Sequence, residues 1–199
     1  PITWAQLFGI PVQPDIDAPA PDDTGANVSP ALQAALDKML GLCETEVKNK
    51  SCYVWATGGE LGINVKESYI RTKEARNSGG ANADRAVRAW IEQIDAGNTL
   101  FRIFDCSGFV SWVLTKAGVF SGRRDCDGLW SLSNKLDAPE NGALLFRVSS
   151  SNSEDETHVG LYFNGYQYHA KGRDDGVVKE KYSAKYWAKC ARFKALERL

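Results

Sequence analysis

The two-residue segment Asn164-Gly165 constrains the fold of this chain more than any other feature. It lies between "HVGLYF" and "YQYHA", two short segments rich in aromatic and β-branched residues. Asn-Gly in this setting is typical of a tight β-hairpin, because both turn residues must adopt positive φ angles. Three segments of similar composition, "GALLFRV", "GVVKEKY" and "CARFKAL", predict further strands. We therefore expect an antiparallel sheet in the C-terminal part of the chain.

Helical periodicity dominates the chain ahead of those strands. One helix is predicted from Pro30, with Ser29 as its N-cap and apolar positions running from Leu32 to Cys43. Two more helices are predicted from apolar faces formed by Ala83, Ala86, Val87, Trp90, Ile91 and Ile94, and by Phe109, Val110, Val113, Leu114 and Ala117. Helices followed by an antiparallel sheet indicate an α+β domain.

Both histidines of the chain fall in the predicted hairpin. A two-residue loop places residues whose numbers sum to 329 opposite each other, so His158 faces Lys171 and His169 faces Gly160. The two histidines then share one face of the sheet as diagonal neighbours, about 7–8 Å apart between backbones. A single histidine on a strand is usually structural, but two on one face indicate a functional site.

The segment "FDCSGFVSWVLTKAG" places Cys106 at the start of a helix and at the head of its apolar stripe. Two interpretations fit this cysteine by itself, a buried core thiol or a nucleophile whose thiolate is favoured at a helix N-terminus. A nucleophilic thiol needs a base, and the base needs a third group to orient it. His158 and His169 can supply both groups if the helix meets the hairpin.

Composition and charge exclude several partners and cofactors. The net charge is −1, with Lys and Arg dispersed, so no nucleic-acid partner is expected. No apolar run reaches about 18 residues, so membrane insertion is not expected either. The five cysteines contain no C-x-x-C pair, and we expect no metal and no other cofactor. Cys126 and Cys190 have no base nearby in the sequence and are interpreted as structural.

The N-terminal residues have a different composition. Six of the seven prolines lie in the first thirty residues, which is typical of an extended linker. We therefore divide the chain into an N-terminal segment with a linker, residues 1–29, and a domain, residues 30–199. The apolar stretch "ITWAQLFGI" ahead of the linker can dock on this domain or on a neighbour. The linker favours a neighbouring domain or protein.

Three stretches together, "YVW", "DCSGFVSWVL" and "HVGLYFNGYQYHAKG", resemble the NlpC-type cell-wall cysteine peptidases of the papain-like superfamily. The resemblance extends from about residue 49 to the C-terminus. It implies a papain-like α+β fold, in which N-terminal helices, including the nucleophile helix, pack on a C-terminal antiparallel sheet. It also implies that Cys106 is the nucleophile, His158 the general base and His169 the orienting residue. The backbone N–H of Cys106 is then a natural oxyanion donor.

The resemblance implies further residues that bind substrate. Tyr53 is expected in the wall of the active site. Asp105 and Ser107 are candidates for substrate binding, although an aspartate ahead of a helix is as often only an N-cap. The chain departs from the family pattern by a helical insertion around residues 66–99 and by Ala56-Thr57 between "YVW" and its glycine pair. Both departures affect the expected specificity.

The implied substrate is bacterial peptidoglycan, cleaved in its stem peptide between γ-D-glutamate and a diamino acid. This places the protein outside the cell or in the bacterial cell wall, or makes it a phage-encoded lytic protein. Two alternatives stay open. One is an N-acetylmuramoyl-L-alanine amidase of the related Cys-His type, and the other is an inactive module that binds the cell wall. Lys171 and Arg173, at the end of the hairpin, are interpreted either as contacts for stem-peptide carboxylates or as a solvated loop.

Overall fold

A computed structural model describes residues 28–199 of the chain. The apolar segment and most of the predicted linker lie outside the described residues. The first helix, α1, spans Pro30–Lys48, and the side chain of Ser29 accepts a hydrogen bond from the Leu32 backbone N–H at 3.1 Å. The predicted start of this helix, and the burial of Cys43 on its inner face, are therefore confirmed.

The described residues contain four further α-helices and nine strands. The helices are α2 (Glu67–Ala75), α3 (Ala83–Asp95), α4 (Cys106–Lys116) and α5 (Cys126–Ser131). The first four strands are β1 (Cys52–Tyr53), β2 (Gly58–Leu61), β3 (Arg102–Phe104) and β4 (Ser133–Leu136). The others are β5 (Leu144–Val148), β6 (Glu156–Phe163), β7 (Tyr166–Gly172), β8 (Gly176–Lys181) and β9 (Lys189–Phe193).

The C-terminal strands form an antiparallel sheet of six strands in the order β4-β9-β5-β6-β7-β8. The hairpin β6–β7 has the predicted register, with Leu161 opposite Tyr168. Its turn has φ angles of 50° at Asn164 and 81° at Gly165, as an Asn-Gly hairpin turn requires. A smaller sheet, β1-β3-β2, was not predicted, and its strands β1 and β3 run parallel.

Helix α4 packs against β6 and β7 and forms the centre of the main core. Its apolar stripe is fully buried, at Phe109, Val110, Val113 and Leu114. Burial of several large apolar side chains, each worth about 1.5–3 kcal/mol, stabilises this contact between helix and sheet. The α+β fold, with N-terminal helices packed on a C-terminal antiparallel sheet, is confirmed.

The predicted apolar face of α3 is correct only in its first half. Ala86 and Val87 are buried in a second, smaller core, but Ile91 and Ile94 are 38% and 36% exposed. That core reaches only as far along the helix as Trp90, whose indole N–H donates to the Gly62 carbonyl at 2.9 Å. Beyond this point, the helix periodicity continues without a packing partner among the described residues.

Within residues 28–199, none of the helices combines the length and the hydropathy that crossing a bilayer requires.

Candidate active site

Cys106 is the first residue of α4, and the residue is only 6% exposed. Asp105 caps the helix by accepting a hydrogen bond from the Gly108 N–H at 2.6 Å. Gly108 is required by close packing, since a Cβ there would lie 2.0 Å from the Thr57 carbonyl oxygen. The Asp-Cys-Ser-Gly segment therefore holds the thiol at the mouth of a helix pressed against the smaller sheet. The backbone N–H of Cys106 has no acceptor within its own helix.

The two histidines are in direct contact. His158 Nε2 lies 2.8 Å from His169 Nδ1, and the ring centroids are 5.1 Å apart. Gly160 makes room for this pair, because a Cβ at that position would lie 3.0 Å from both His169 Cβ and the Trp187 ring. The predicted diagonal placement on one face of the hairpin is therefore what the structure contains.

Glu180 on β8 extends the histidine pair. Its Oε2 lies 3.2 Å from His169 Nε2, and Lys171 donates to its other oxygen at 2.8 Å. Burial, followed by the neighbouring His158, lowers the pKa of His169 to about 4, so this imidazole is neutral near pH 7. A carboxylate only accepts hydrogen bonds, so His169 carries its proton on Nε2 and accepts at Nδ1. His158 therefore donates from Nε2 and presents Nδ1 as its remaining ring nitrogen.

The surroundings of Cys106 favour its thiolate. A hydrogen bond from the Cys126 thiol is the largest influence lowering the pKa of Cys106, and the two Sγ atoms are 3.9 Å apart. Burial opposes this effect, while a hydrogen bond and the charge of His158, and the Val159 backbone N–H, reinforce it. The net result is a pKa well below the ordinary value for cysteine.

Trp187 fixes the plane of the His158 ring by stacking. The two rings lie nearly parallel, with centroids 5.6 Å apart and an interplanar angle of 11°. The indole N–H of Trp187 donates to Gln167 Oε1 at 2.8 Å. Gln167 in turn donates to Glu180 Oε2 at 3.2 Å. The stacking on His158 and the hydrogen bonds that reach His169 through Glu180 therefore belong to one connected network.

Asp105 is largely satisfied by groups of this chain. Ser107 Oγ donates to Asp105 Oδ1 at 3.1 Å, and the Arg123 guanidinium pairs with the other oxygen, Oδ2. Burial raises the pKa of Asp105, Arg123 opposes that shift, and the neighbouring Cys106 adds to it. Of the roles considered for Asp105, the helix cap is therefore confirmed, and substrate binding stays a prediction.

Tyr53 is buried in the same core cluster as Cys106, and the Arg173 guanidinium lies 4.9 Å from its ring centroid. Burial, then the negative charge of Cys106 and of Asp105, raises the pKa of Tyr53, so its hydroxyl stays protonated. Arg173 also pairs with the fully buried Glu74 at 2.8 Å. The interpretation of Arg173 as part of a solvated loop is therefore wrong, because its side chain is only 13% exposed and bridges to helix α2. Its contact with stem-peptide carboxylates stays a prediction.

Sequence reasoning missed three neighbours of the site: Cys126, Glu180 and Trp187. A signal for Cys126 was present, because Asp125-Cys126-Asp127-Gly128 repeats the Asp-Cys-x-Gly pattern that starts α4. Asp125 caps α5 by the same hydrogen bond, accepting from the Gly128 N–H at 2.9 Å. The interpretation of Cys126 as purely structural did not anticipate its contact with Cys106.

All five cysteines are free thiols. Among residues 28–199, no group of three or more His, Cys, Asp or Glu side chains is arranged to hold a metal ion.

The site and fold together define a class, a cysteine-histidine-histidine arrangement on a papain-like α+β domain. Residues 92–194 match the model of the NlpC/P60 family, and the chain belongs to that family. It is 31% identical over 91 residues to the probable peptidoglycan endopeptidase LytE of Bacillus subtilis. This match covers 46% of the chain but spans only about a quarter, 26%, of that relative.

Solved structures show the same fold. The P60 domain of an antigen from M. avium subspecies paratuberculosis superposes with a TM-score of 0.53 at 17% identity, over 81% of this chain and 96% of that domain. The peptidoglycan hydrolase RipB from Mycobacterium tuberculosis superposes with a TM-score of 0.51 at 16% identity, over 81% of this chain and 66% of that protein.

Proposed function

We propose that this protein is a cysteine endopeptidase of bacterial peptidoglycan, with Cys106 as nucleophile, His158 as general base and His169 as orienting residue. The observation that carries the proposal is the chain of contacts from Glu180 through His169 to His158, together with the influence of His158 in lowering the pKa of Cys106. A thiolate and a base oriented by a third group are what acyl transfer by cysteine requires. Membership of the NlpC/P60 family supports a peptidoglycan substrate.

In the first half-reaction, the thiolate of Cys106 attacks the carbonyl carbon of the scissile amide. The oxygen of that carbonyl becomes an anion, which the backbone N–H of Cys106 stabilises at the helix start. His158, protonated in the thiolate form, then donates its proton to the leaving amine. The C–N bond breaks, the amine departs, and a thioester remains on Cys106.

The second half-reaction releases the acid product. A water molecule gives its proton to His158 and attacks the thioester carbonyl carbon. The C–S bond breaks, the carboxylic acid leaves, and Cys106 returns to the thiolate beside a protonated His158. Through both steps, His169 stays neutral and holds the His158 ring by the 2.8 Å hydrogen bond between the two imidazoles.

We assign the bond cleaved to the one between γ-D-glutamate and the diamino acid of the stem peptide. Tyr53, with its protonated hydroxyl, forms part of the wall beside Cys106. Asp105 and Ser107 act on substrate from the same side, with Arg123 already paired to Asp105. A substrate ammonium group that approaches Asp105 therefore has to compete with a guanidinium.

The decisive experiment is mass spectrometry of the fragments that the protein releases from purified peptidoglycan and from a defined stem peptide. The proposal predicts products that end in γ-D-glutamate, together with a new amino terminus on the diamino acid. The matched control is Cys106→Ser, which should release neither product, and EDTA should leave the reaction intact. A free L-alanine amino terminus would instead indicate the amidase, and retention on the cell wall without cleavage would indicate a binding module.

A further inference from the structure

Two helices of this fold start with a cysteine, and their thiols touch. Cys106 is the first residue of α4 and Cys126 the first residue of α5, and each follows an aspartate that caps its helix. The Sγ atoms are 3.9 Å apart, and the two residues are 6% and 8% exposed. A hydrolase of the proposed mechanism needs only one thiol, so the second one calls for a chemical explanation.

We propose that Cys106 and Cys126 form a peroxide-reactive thiol pair, in which Cys106 is oxidised first and Cys126 then closes a reversible disulfide. The proposed oxidant is hydrogen peroxide or another small hydroperoxide. This proposal rests on the proposed function for access to the sulfur of Cys106. A substrate carbonyl has to reach that sulfur in the hydrolase, and a peroxide, which is smaller, can reach it by the same route.

The first step oxidises the thiolate. The Cys106 sulfur attacks one oxygen of the peroxide, the O–O bond breaks, and hydroxide leaves. The attacked oxygen keeps its own proton as it bonds to sulfur, so the product is the sulfenic acid, Cys106–SOH. Thiolate character decides which cysteine reacts, and Cys106 is the one cysteine of the five whose surroundings lower its pKa.

The second step joins the two sulfurs. Cys126 attacks the sulfenic sulfur, the S–O bond breaks, and the departing hydroxide takes the Cys126 proton to leave as water. The largest influence raising the pKa of Cys126 is its hydrogen bond to Cys106, and the charge of Cys106 adds to it. Oxidation of Cys106 removes the negative charge it carried as a thiolate. The first step therefore prepares the second thiol to ionise.

The geometry permits the disulfide and restricts its partners. The sulfurs must close from 3.9 Å to about 2.05 Å, which side-chain rotation and small shifts of two helix starts can supply. The thiols of two other cysteines donate to backbone carbonyls instead, Cys52 to Ala89 at 3.5 Å and Cys190 to Leu136 at 3.4 Å. The disulfide would occupy the proposed nucleophile and protect it from irreversible oxidation to the sulfinic acid.

The test exposes the wild-type protein to a small excess of hydrogen peroxide, quenches with iodoacetamide, and reads the products by mass spectrometry. The expected result is a loss of about 2 Da and a cross-link between the tryptic peptides 103–116 and 125–135. Peptidoglycan cleavage should fall by at least about tenfold and return after dithiothreitol, because the disulfide is reversible.

Two variants sharpen this test. Cys126→Ala has no resolving thiol, so peroxide should oxidise Cys106 to the sulfinic acid and add about 32 Da there. The activity that this variant loses, measured against its own reduced state, should not return after dithiothreitol. Cys190→Ala is the matched control, a buried thiol removed elsewhere, and it should respond as the wild type does. Wild-type protein that gains about 32 Da at Cys106, with Cys126 unmodified, would overturn the proposal.

The failure of this proposal and the failure of the proposed function are distinguishable. Cleavage of peptidoglycan without a disulfide after peroxide would refute the thiol pair and leave the hydrolase proposal standing. A disulfide in a protein that cleaves no stem peptide would refute the hydrolase and keep the thiol pair, because the mass measurement needs no substrate.

Discussion

Alkylation rates of the five cysteines provide the sharpest test of the proposed nucleophile. Hydrogen bonds from Cys126 and His158 lower the pKa of Cys106, whereas burial raises the pKa of Cys52 to about 12. At pH 7, an ordinary thiol with a pKa of 9.0 is about 1% thiolate, and a thiol with the pKa of Cys52 is about 0.001% thiolate. Because the pKa of Cys106 is lowered well below that of an ordinary thiol, its thiolate fraction at pH 7 is higher than either.

The expected rate difference is smaller than the difference in thiolate fraction. Nucleophilicity falls as the pKa falls, with a Brønsted slope of about 0.4–0.5, so each unit of lowered pKa costs about threefold in intrinsic reactivity. Combining the two effects, we expect Cys106 to react with iodoacetamide at least about a hundredfold faster than Cys52 at pH 7. The advantage over an ordinary exposed thiol is only several-fold.

The assay measures the alkylation rate of each cysteine by peptide mass spectrometry between pH 5 and 9. The Cys106 rate should level off below pH 9, while the rates of the other thiols should still rise about tenfold per pH unit. His158→Ala should move the Cys106 plateau to higher pH, because it removes one of the groups that stabilise the thiolate. Uniform labelling, or faster reaction of Cys126 or Cys190, would contradict the assignment of the nucleophile.

Three further predictions concern the histidines and the bridge to α2. His158→Ala should lower turnover of a stem peptide at least about a hundredfold, His169→Ala should lower it less, and His169→Asn should recover part of that loss. A larger loss for His169→Ala than for His158→Ala, with unchanged circular dichroism, would exchange the roles of base and orienting residue. Between about pH 6.5 and 4, the unfolded chain binds a proton at His169 that the folded protein does not, so the free energy of unfolding should fall by about 3 kcal/mol as the pH drops. Urea titrations should show a smaller fall for His169→Gln, and an equal pH dependence of the two proteins would refute a neutral buried imidazole. Arg173→Met should lower the free energy of unfolding by about 3 kcal/mol, because it leaves the buried Glu74 without its ion-pair partner, and a change below about 1 kcal/mol would show that the pair is screened.

Local rules explain why the sheet and the histidine pair were predictable. The Asn164-Gly165 turn fixes a register, and a fixed register places His158 and His169 on one face regardless of the rest of the fold. The start of α1 was predictable for the same reason, since the cap at Ser29 depends on residues within one turn.

Features that depend on tertiary packing were not predictable in this way. The contact between Cys106 and Cys126 requires α5 to pack beside α4, and no periodicity encodes that. Strands β1 and β3 are two and three residues long and pair in parallel across about fifty residues, so neither shows an alternating pattern. For Ile94 on α3 the periodicity predicted the helix correctly but not the burial of the side chain, because no surface among the described residues covers it.

The ion pairs at the turn between β7 and β8 have an evolutionary consequence. Arg173 of this turn pairs with the buried Glu74 of α2, and Asp174 pairs with Arg85 of α3. The helices and the turn are therefore joined across about ninety to a hundred positions of the chain. A lineage that deleted the helices but kept Arg173 would leave its guanidinium without the Glu74 carboxylate, and one that kept them without Arg173 would bury a carboxylate that has no ion-pair partner. We expect relatives to gain or lose these two parts in step, so that residues 74 and 173 covary among homologues.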